Sequence, residues 1–232
     1  MNYAIKQIKS NWTTFELTWI TIATSLILYL SFLWDDTLLG TISSLAGIIS
    51  VVLCAKGKIN YLYFGIIQCT TYIYITYQYQ LYGEMMLNLL VFLPFNIITI
   101  FVWRKNRKQK DKVVNGEEIA TRKLTKKQWI IFTPILIVTS LLYAWLLNSI
   151  GARQVGLDSF AVVLSVFAQI LLTLRYVENW LIWNIVNVLT VMLWAFTLIE
   201  TGGNDYGILV MQIAFLVNSL YAYWNWTKIT KE

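Results

Sequence analysis

An all-α integral membrane protein with eight transmembrane helices is the fold this sequence predicts, and three observations predict it. The chain of 232 residues is 58% hydrophobic and only 13% charged, where soluble proteins average about 25% charged. Its apolar residues come in unbroken runs near the roughly 20 residues that span about 30 Å of hydrocarbon as a helix. Its basic residues fall almost entirely on one side of the topology those runs imply. The bilayer is therefore the solvent.

The runs lie at roughly 15–34, 37–55, 59–78, 85–103, 128–148, 157–175, 179–198 and 206–226. The first follows Lys6, Lys9 and a polar stretch from Asn11 to Glu16 and is of full length, so it reads as a retained helix and not as a cleavable signal peptide. Trp12, Trp34, Trp103, Trp129, Trp180, Trp224 and Trp226 stand at run ends, where amphipathic rings sit at the headgroup level. Orientation follows from Lys and Arg, which resist translocation. The connection Arg104 to Lys127 holds ten of them, and counting outward from it places seventeen of eighteen on the same side, with Arg153 alone opposite. Both termini are then cytoplasmic. The outer connections carry Asp35, Asp36, Glu84, Asp158, Glu200 and Asp205. The basic loop has no interleaved aromatics, so it reads as a topological signal with weak attraction for anionic lipid heads, and no nucleic-acid partner is expected.

Catalytic and metal chemistry find little support. The chain has no histidine, the commonest general base and metal ligand. Its two cysteines, Cys54 and Cys69, lie inside apolar runs without the spacing of a disulfide framework or a zinc site. They read as packing residues, and neither a cofactor nor a metal is expected.

An internal repeat divides the eight helices. Asn60, Tyr61, Leu62, Tyr63, Phe64, Gly65, Ile66, Ile67 and Gln68 align, 119 residues on, with Asn179, Trp180, Leu181, Ile182, Trp183, Asn184, Ile185, Val186 and Asn187. Lys56 meets Arg175, and Asn96 pairs with Asn218. The unit is three helices, so with one helix between them both units run in the same sense. The architecture is 1+3+1+3: two parallel three-helix repeats joined by a linker helix. The segments are 1–35 for the N-terminal region and accessory helix, 36–104 for the first repeat, 105–127 for the basic loop, 128–150 for the linker helix and 151–232 for the second repeat. Parallel repeats are a transporter architecture, with the substrate site near the midplane where the units meet.

Trp180, Trp183, Asn187, Thr190 and Trp194 recur every three or four residues and share one helical face, with Asn184 beside it. The aligned face of the third run is Tyr61, Phe64, Gln68, Thr71 and Ile75. Indole faces stack on planar rings and attract cations, and carboxamides offer donors and acceptors to an amide or a sugar. Asn88, Asn96, Gln212 and Asn218 stand ready to complete such a pocket. Asn and Gln also bind membrane helices together, at about 1 kcal/mol each, and Trp180 suits the interfacial belt. Trp183 and Asn187, deeper in the run, suit a site. No ionisable side chain lies near the middle of any run, and intramembrane charges mark proton relays and ion coupling. Passive transport is the simplest expectation, and an ion channel with a charged ring is disfavoured.

The triplet arrangement, the W-x-x-x-N spacing of Trp183 and Asn187, the aromatic ends Phe101, Val102, Trp103 and Tyr223, Trp224, Asn225, Trp226, and the basic central loop resemble the PnuC family of bacterial vitamin transporters over residues 37–228. The resemblance implies a fold similar to the SWEET sugar transporters and a homo-oligomer, a trimer by the family's pattern, in the inner membrane. It also implies uptake of nicotinamide riboside down its gradient, with a cytoplasmic kinase trapping the product. The ring fits Trp183, its carboxamide Asn187 or Gln68, and the ribose Asn184, Asn88 or Asn218. Phe64 and Gln68 depart from the W-x-x-x-N pattern in the first repeat. A sister carrier for thiamine or riboflavin, or a sugar facilitator, is the neighbouring reading. A scaffold or an integral enzyme is the rival from another class.

Overall fold

The computed structural model describes residues 12–107, 119–149, 155–203 and 205–230. Expectations for Lys6, Lys9, Arg153, Lys231 and the middle of the basic loop fall outside them. Among the described residues there are eight helices: α1 Thr14–Leu33, α2 Leu38–Ala55, α3 Tyr61–Gln78, α4 Tyr82–Lys105, α5 Lys126–Ser149, α6 Val155–Thr173, α7 Asn179–Thr201 and α8 Tyr206–Ile229. No strand accompanies them, only isolated bridges between Arg107 and Ile119 and between Arg122 and Tyr176. Six helices, α1, α2, α4, α5, α7 and α8, are long and apolar enough to cross a membrane. In α3, five Tyr, three Thr and two Gln among 18 residues lower the mean hydropathy, and the apolar part of α6 is the shorter Phe160–Thr173.

Helix ends gather at two poles. At the first, Thr13 and Glu16 form a capping box on α1, the Thr13 amide donating to Glu16 Oε2 at 2.8 Å. The same carboxylate forms an ion pair with Lys56 at the end of α2 and accepts from Tyr221 Oη of α8 at 3.0 Å. At the other pole, Asp205 Oδ1 accepts from the Thr37 amide at 3.1 Å and its hydroxyl at 2.7 Å, at the start of α2. Asp36 in turn accepts from the Tyr206 and Gly207 amides of α8 at 3.1 and 2.7 Å. Each carboxylate thus faces the positive end of the other's helix. Burial, with Asp205 nearby, holds the Asp36 carboxyl above its ordinary value despite these bonds. A Cβ at Gly207 would stand 2.5 Å from Asp36 Oδ2 and 2.9 Å from Ser31 Oγ. Gly207→Val is therefore expected to cost about 1–3 kcal/mol by overpacking, read as an earlier thermal melt in detergent.

Helix α8 packs on α2, and α4 on α6. The α2 face is built of small residues, Gly40, Ser43, Ser44, Ala46 and Gly47, which let a neighbouring backbone approach closely. Helix α4 is interrupted by a π turn at Asn88–Phe92, two residues before Pro94. Proline lacks an N–H and clashes with the preceding turn, and a π turn accommodates it.

The repeat's register differs from the one read in the sequence. Gly57 N donates to Cys54 O and Lys58 N to Leu53 O after α2, while Arg175 N donates to Leu172 O and Tyr176 N to Leu171 O after α6. Gly57 and Arg175 both take the left-handed conformation, at φ 69° and 66°. These equivalent turns are 118 residues apart, not 119, as are the starts of α3 and α7. At that offset Trp183 corresponds to Gly65, Asn187 to Cys69 and Thr190 to Tyr72. The third helices are corrected too. Trp103 Nε1 donates to Thr173 O at 3.2 Å and Trp226 Nε1 to Ala55 O at 3.1 Å, each carbonyl closing a first helix. Trp103 thus matches Trp226, and Asn96 matches Ser219 and not Asn218.

Trp103 and Trp226 are fully buried and Trp180 is 4% exposed, so these three do not belong to an interfacial belt. They close the first pole together with Tyr61, Ile59, Val177 and Ile119. Trp180 meets Trp226 edge-on at 5.5 Å, and Tyr61 meets Trp103 at 4.9 Å. Thr121 ties the connecting segment to this plug, donating to Trp226 O at 3.2 Å. A second apolar cluster, including Tyr72, Ile75, Trp194, Ile208 and Met211, closes the other pole.

Candidate functional site

Between the two clusters lies a cavity of about 160 Å³, partly open to the surroundings. Six helices line it. Gly47, Ser50, Val51 and Cys54 come from α2; Tyr61, Gly65, Gln68, Cys69 and Tyr72 from α3; Glu84, Leu87, Asn88, Phe92 and Asn96 from α4. Ser165, Gln169 and Leu172 come from α6; Trp180, Trp183, Val186, Asn187 and Thr190 from α7; Gln212, Phe215 and Asn218 from α8. Among the described residues, helices α1 and α5 contribute nothing.

Of the residues picked from the sequence, Trp183, Asn187, Gln68, Asn88, Asn218, Gln212, Asn96 and Thr190 line the cavity, and Phe64 and Asn184 do not. The face of α7 is the one expected from its spacing, less the buried Trp194. The face of α3 is rotated, running Tyr61, Gly65, Gln68, Cys69, Tyr72 in place of Tyr61, Phe64, Gln68, Thr71, Ile75. Tyr61 and Gln68 are common to both faces, while Gly65 and Tyr72 line the cavity where Phe64 and Thr71 were expected. Asn184 supports the wall from behind: Ser219 Oγ donates to its Oδ1 at 2.6 Å and receives from Asn187 Nδ2 at 3.2 Å.

The other polar side chains are held at defined angles. Tyr72 Oη accepts from Trp194 Nε1 and from Gln212 Nε2, the latter at 3.2 Å. Asn218 Nδ2 donates to Val51 O at 3.0 Å, Asn88 Nδ2 to Glu84 O at 2.9 Å and Asn96 Nδ2 to Cys69 Sγ at 3.5 Å. Lining residues that keep a buried polar atom without a partner include Gln169 Nε2, Trp180 Nε1 and Asn218 Oδ1. Such atoms cost about 1–3 kcal/mol each when left unpaired, and a polar ligand relieves that cost. Trp183, packed on Phe92 at 5.7 Å, supplies a flat aromatic wall.

Sequence reasoning missed Gln169, Ser165 and Glu84. Gln169 carried the signal used elsewhere, an amide deep in an apolar run. Glu84 was placed in an outer connection, but α4 begins at Tyr82, with Met85 N donating to Leu81 O at 3.0 Å, so Glu84 falls in its first turn and reaches the lining. Among the described residues no group of three His, Cys, Asp or Glu stands close enough to hold a metal ion.

A family model described as nicotinamide mononucleotide transporter matches residues 37–228, a span that begins just before α2 and takes in every residue of the cavity. The chain belongs to this transporter family. Among its relatives, the nicotinamide riboside transporter PnuC of Neisseria mucosa is 35% identical over 98% of this chain and 86% of its own. The protein of the same description from Haemophilus influenzae is 37% identical over 96% and 94%. A solved structure, the crystal structure of the vitamin B3 transporter PnuC, superimposes with a TM-score of 0.89 at 34% identity, covering 100% of this chain and 98% of that one. This PnuC-type chain is accordingly a multi-pass membrane transporter and not an enzyme.

Proposed function

We propose that the chain carries nicotinamide riboside across the bacterial inner membrane by facilitated diffusion, with a cytoplasmic kinase phosphorylating the product and so retaining it. The observation that carries this reading is the cavity itself, an aromatic wall at Trp183 facing amides and unpartnered polar atoms from both triplets. A flat cationic ring suits the indole face. The carboxamide suits Asn187 or Gln68, and the ribose hydroxyls suit Asn88, Gln169 or Asn218. The printed names of the relatives support the same substrate. Exclusion of α1 and α5 from the lining supports the 1+3+1+3 division, eight crossings and parallel repeats. The bias of Lys and Arg supports cytoplasmic termini, and assembly as a homo-oligomer belongs to the same reading.

Passive transport is favoured because the described residues of the lining include no Asp, Lys or Arg, and the Glu84 carboxylate among them stands in the first turn of α4 and not at mid-span. Uptake of radiolabelled riboside into liposomes carrying the protein is expected to proceed to equilibrium with no ion gradient. A requirement for a proton or sodium gradient would overturn the passive mechanism. Undiminished riboside uptake beside excess thiamine or riboflavin is expected, whereas strong competition by either would favour the sister vitamin.

A further inference from the structure

The connection into α5 ends in an extended segment, residues 119–125, that packs over the tryptophan plug. Burial alternates along its first four residues: Ile119 and Thr121 are buried, Ala120 and Arg122 exposed, the period of an extended chain with one face inward. Ile119 belongs to the cluster of Trp103, Trp180 and Trp226, and Thr121 Oγ1 meets Thr230 Oγ1 at 2.7 Å beside its bond to Trp226 O. Farther on, Arg122 N donates to Arg175 O at 2.9 Å and Val177 N to Arg122 O at 2.8 Å, with the Arg122 guanidinium 4.9 Å from the Tyr176 ring. Leu124 N then donates to Glu178 Oε1 at 3.1 Å. Three layers are thus stacked at this pole. Tyr61 and Trp180 line the cavity and also enter the plug, Trp103 and Trp226 belong to the plug, and the segment packs over it.

The turns that close α2 and α6 are held by equivalent devices of unequal strength. Thr13 and Glu16 cap α1, and Glu16 reaches Lys56 at the α2 turn through the buried ion pair. Thr125 and Gln128 cap α5 in the same way, the Thr125 amide donating to Gln128 Oε1 at 2.8 Å and the Gln128 amide to Thr125 Oγ1 at 3.3 Å. Gln128 Nε2 reaches the α6 turn, donating to Tyr176 Oη at 3.0 Å. A buried ion pair broken from one side is costly, whereas hydrogen bonds that reach solvent are exchanged for bonds to water at little net loss. The bonds from Arg122 to Leu174 O are of the exposed kind. We propose that residues 119–125 are a releasable latch on one exit of the carrier: docked on the α6–α7 turn and the end of α8 they keep the plug shut, and they lift to let substrate leave. The latch rests on the orientation and substrate proposed above, which make that exit cytoplasmic and the substrate nicotinamide riboside. Glu16 keeps the α2 turn fixed on α1, so the second repeat is the half that moves.

The test reconstitutes the full chain in liposomes and nanodiscs with two cysteine pairs, Arg122→Cys with Tyr176→Cys and, separately, Thr121→Cys with Thr230→Cys. In each pair the native side chains lie against each other, as a disulfide requires. Oxidation is expected to cut riboside uptake by about tenfold or more while binding stays within about twofold, and reduction to restore uptake, because a closed gate stops turnover and not recognition. Thr121→Cys alone gives a readout apart from transport. Its alkylation by a maleimide, resolved by peptide mass from Cys54 and Cys69, is expected to quicken about threefold or more when riboside is being carried, because lifting exposes a buried position. Unchanged uptake by fully cross-linked protein overturns the latch. Loss of binding together with uptake overturns it too, since the segment is then a structural tie, and so does failure of both pairs to oxidise. An alkylation rate that riboside leaves unchanged overturns it even where a reduced pair transports poorly. Wild-type protein that neither binds nor carries riboside overturns the substrate reading and the latch built on it, whereas a working wild-type carrier indifferent to the cross-links overturns the latch alone.

Discussion

Replacement of Trp183 by alanine is expected to weaken riboside binding by well over tenfold while the protein stays folded. The ring is half-buried, leans on Phe92 at 5.7 Å and lines the cavity. Its removal takes away one whole wall of the cavity. Aromatic anchors of this kind contribute about 2–3 kcal/mol, or roughly 30- to 150-fold in affinity, and a cation over the face adds to that when desolvated. Trp183→Phe, which keeps a smaller face, is expected to fall between. Asn187→Ala is expected to lose more than tenfold by a different route: it deletes an amide of the lining and frees Ser219 Oγ, which stays bonded to Asn184. Titration calorimetry on both variants, beside thermal melts, separates binding from folding. Unchanged titration curves would return both residues to a packing role.

Much of the helical framework was legible because its signals are local. Runs of apolar residues mark helices directly, and the spacing of Trp183, Asn187 and Thr190 identified the face of α7 that lines the cavity. The register of the repeat was not legible, and the reason lies at two turn residues. Side-chain likeness aligned Lys56 with Arg175 and Asn60 with Asn179. Yet Lys56 is the C-cap of α2, and the residue equivalent to Arg175 is Gly57, in the same left-handed conformation. Glycine announces such a position; arginine gives no sign of it. One slipped residue then matched Phe64 with Trp183, where the offset of the turns matches Gly65. The site is asymmetric: the indole of Trp183 lines it from α7, while the corresponding Gly65 of α3 packs closely on Ser50 and Asn96. The tryptophans at the first pole misled for a related reason. Trp103, Trp180 and Trp226 stand at helix ends, where belts of indoles are common. Their fate is decided by what packs over them, here Ile119 and the α4 to α5 connection, and distant packing leaves no periodic trace.

Loss of the Glu16 carboxylate is expected to be the most damaging single change to stability. Lys56 is 2% exposed and Glu16 3%, so Glu16→Ala leaves an ammonium buried with the Trp12 ring 4.9 Å away. Breaking a buried pair from one side costs about 3–5 kcal/mol. Glu16→Ala also removes the return bond of the α1 capping box and the acceptor for Tyr221, so three helices lose a common tie. Lys56→Met is expected to cost less, since the remaining carboxylate keeps the Thr13 amide and Tyr221 as donors. The pair Glu16→Gln with Lys56→Met is expected to recover most of the loss, because it removes the uncompensated charge while preserving a side chain able to bond both donors. A double-mutant cycle on thermal melts measures this coupling, and additive losses would show that packing and not charge ties α1 to α2. Neither residue lines the cavity, so the protein that remains folded is expected to bind riboside with unchanged affinity. That separation distinguishes the pair from Trp183: one holds the accessory helix on the carrier, the other holds the substrate.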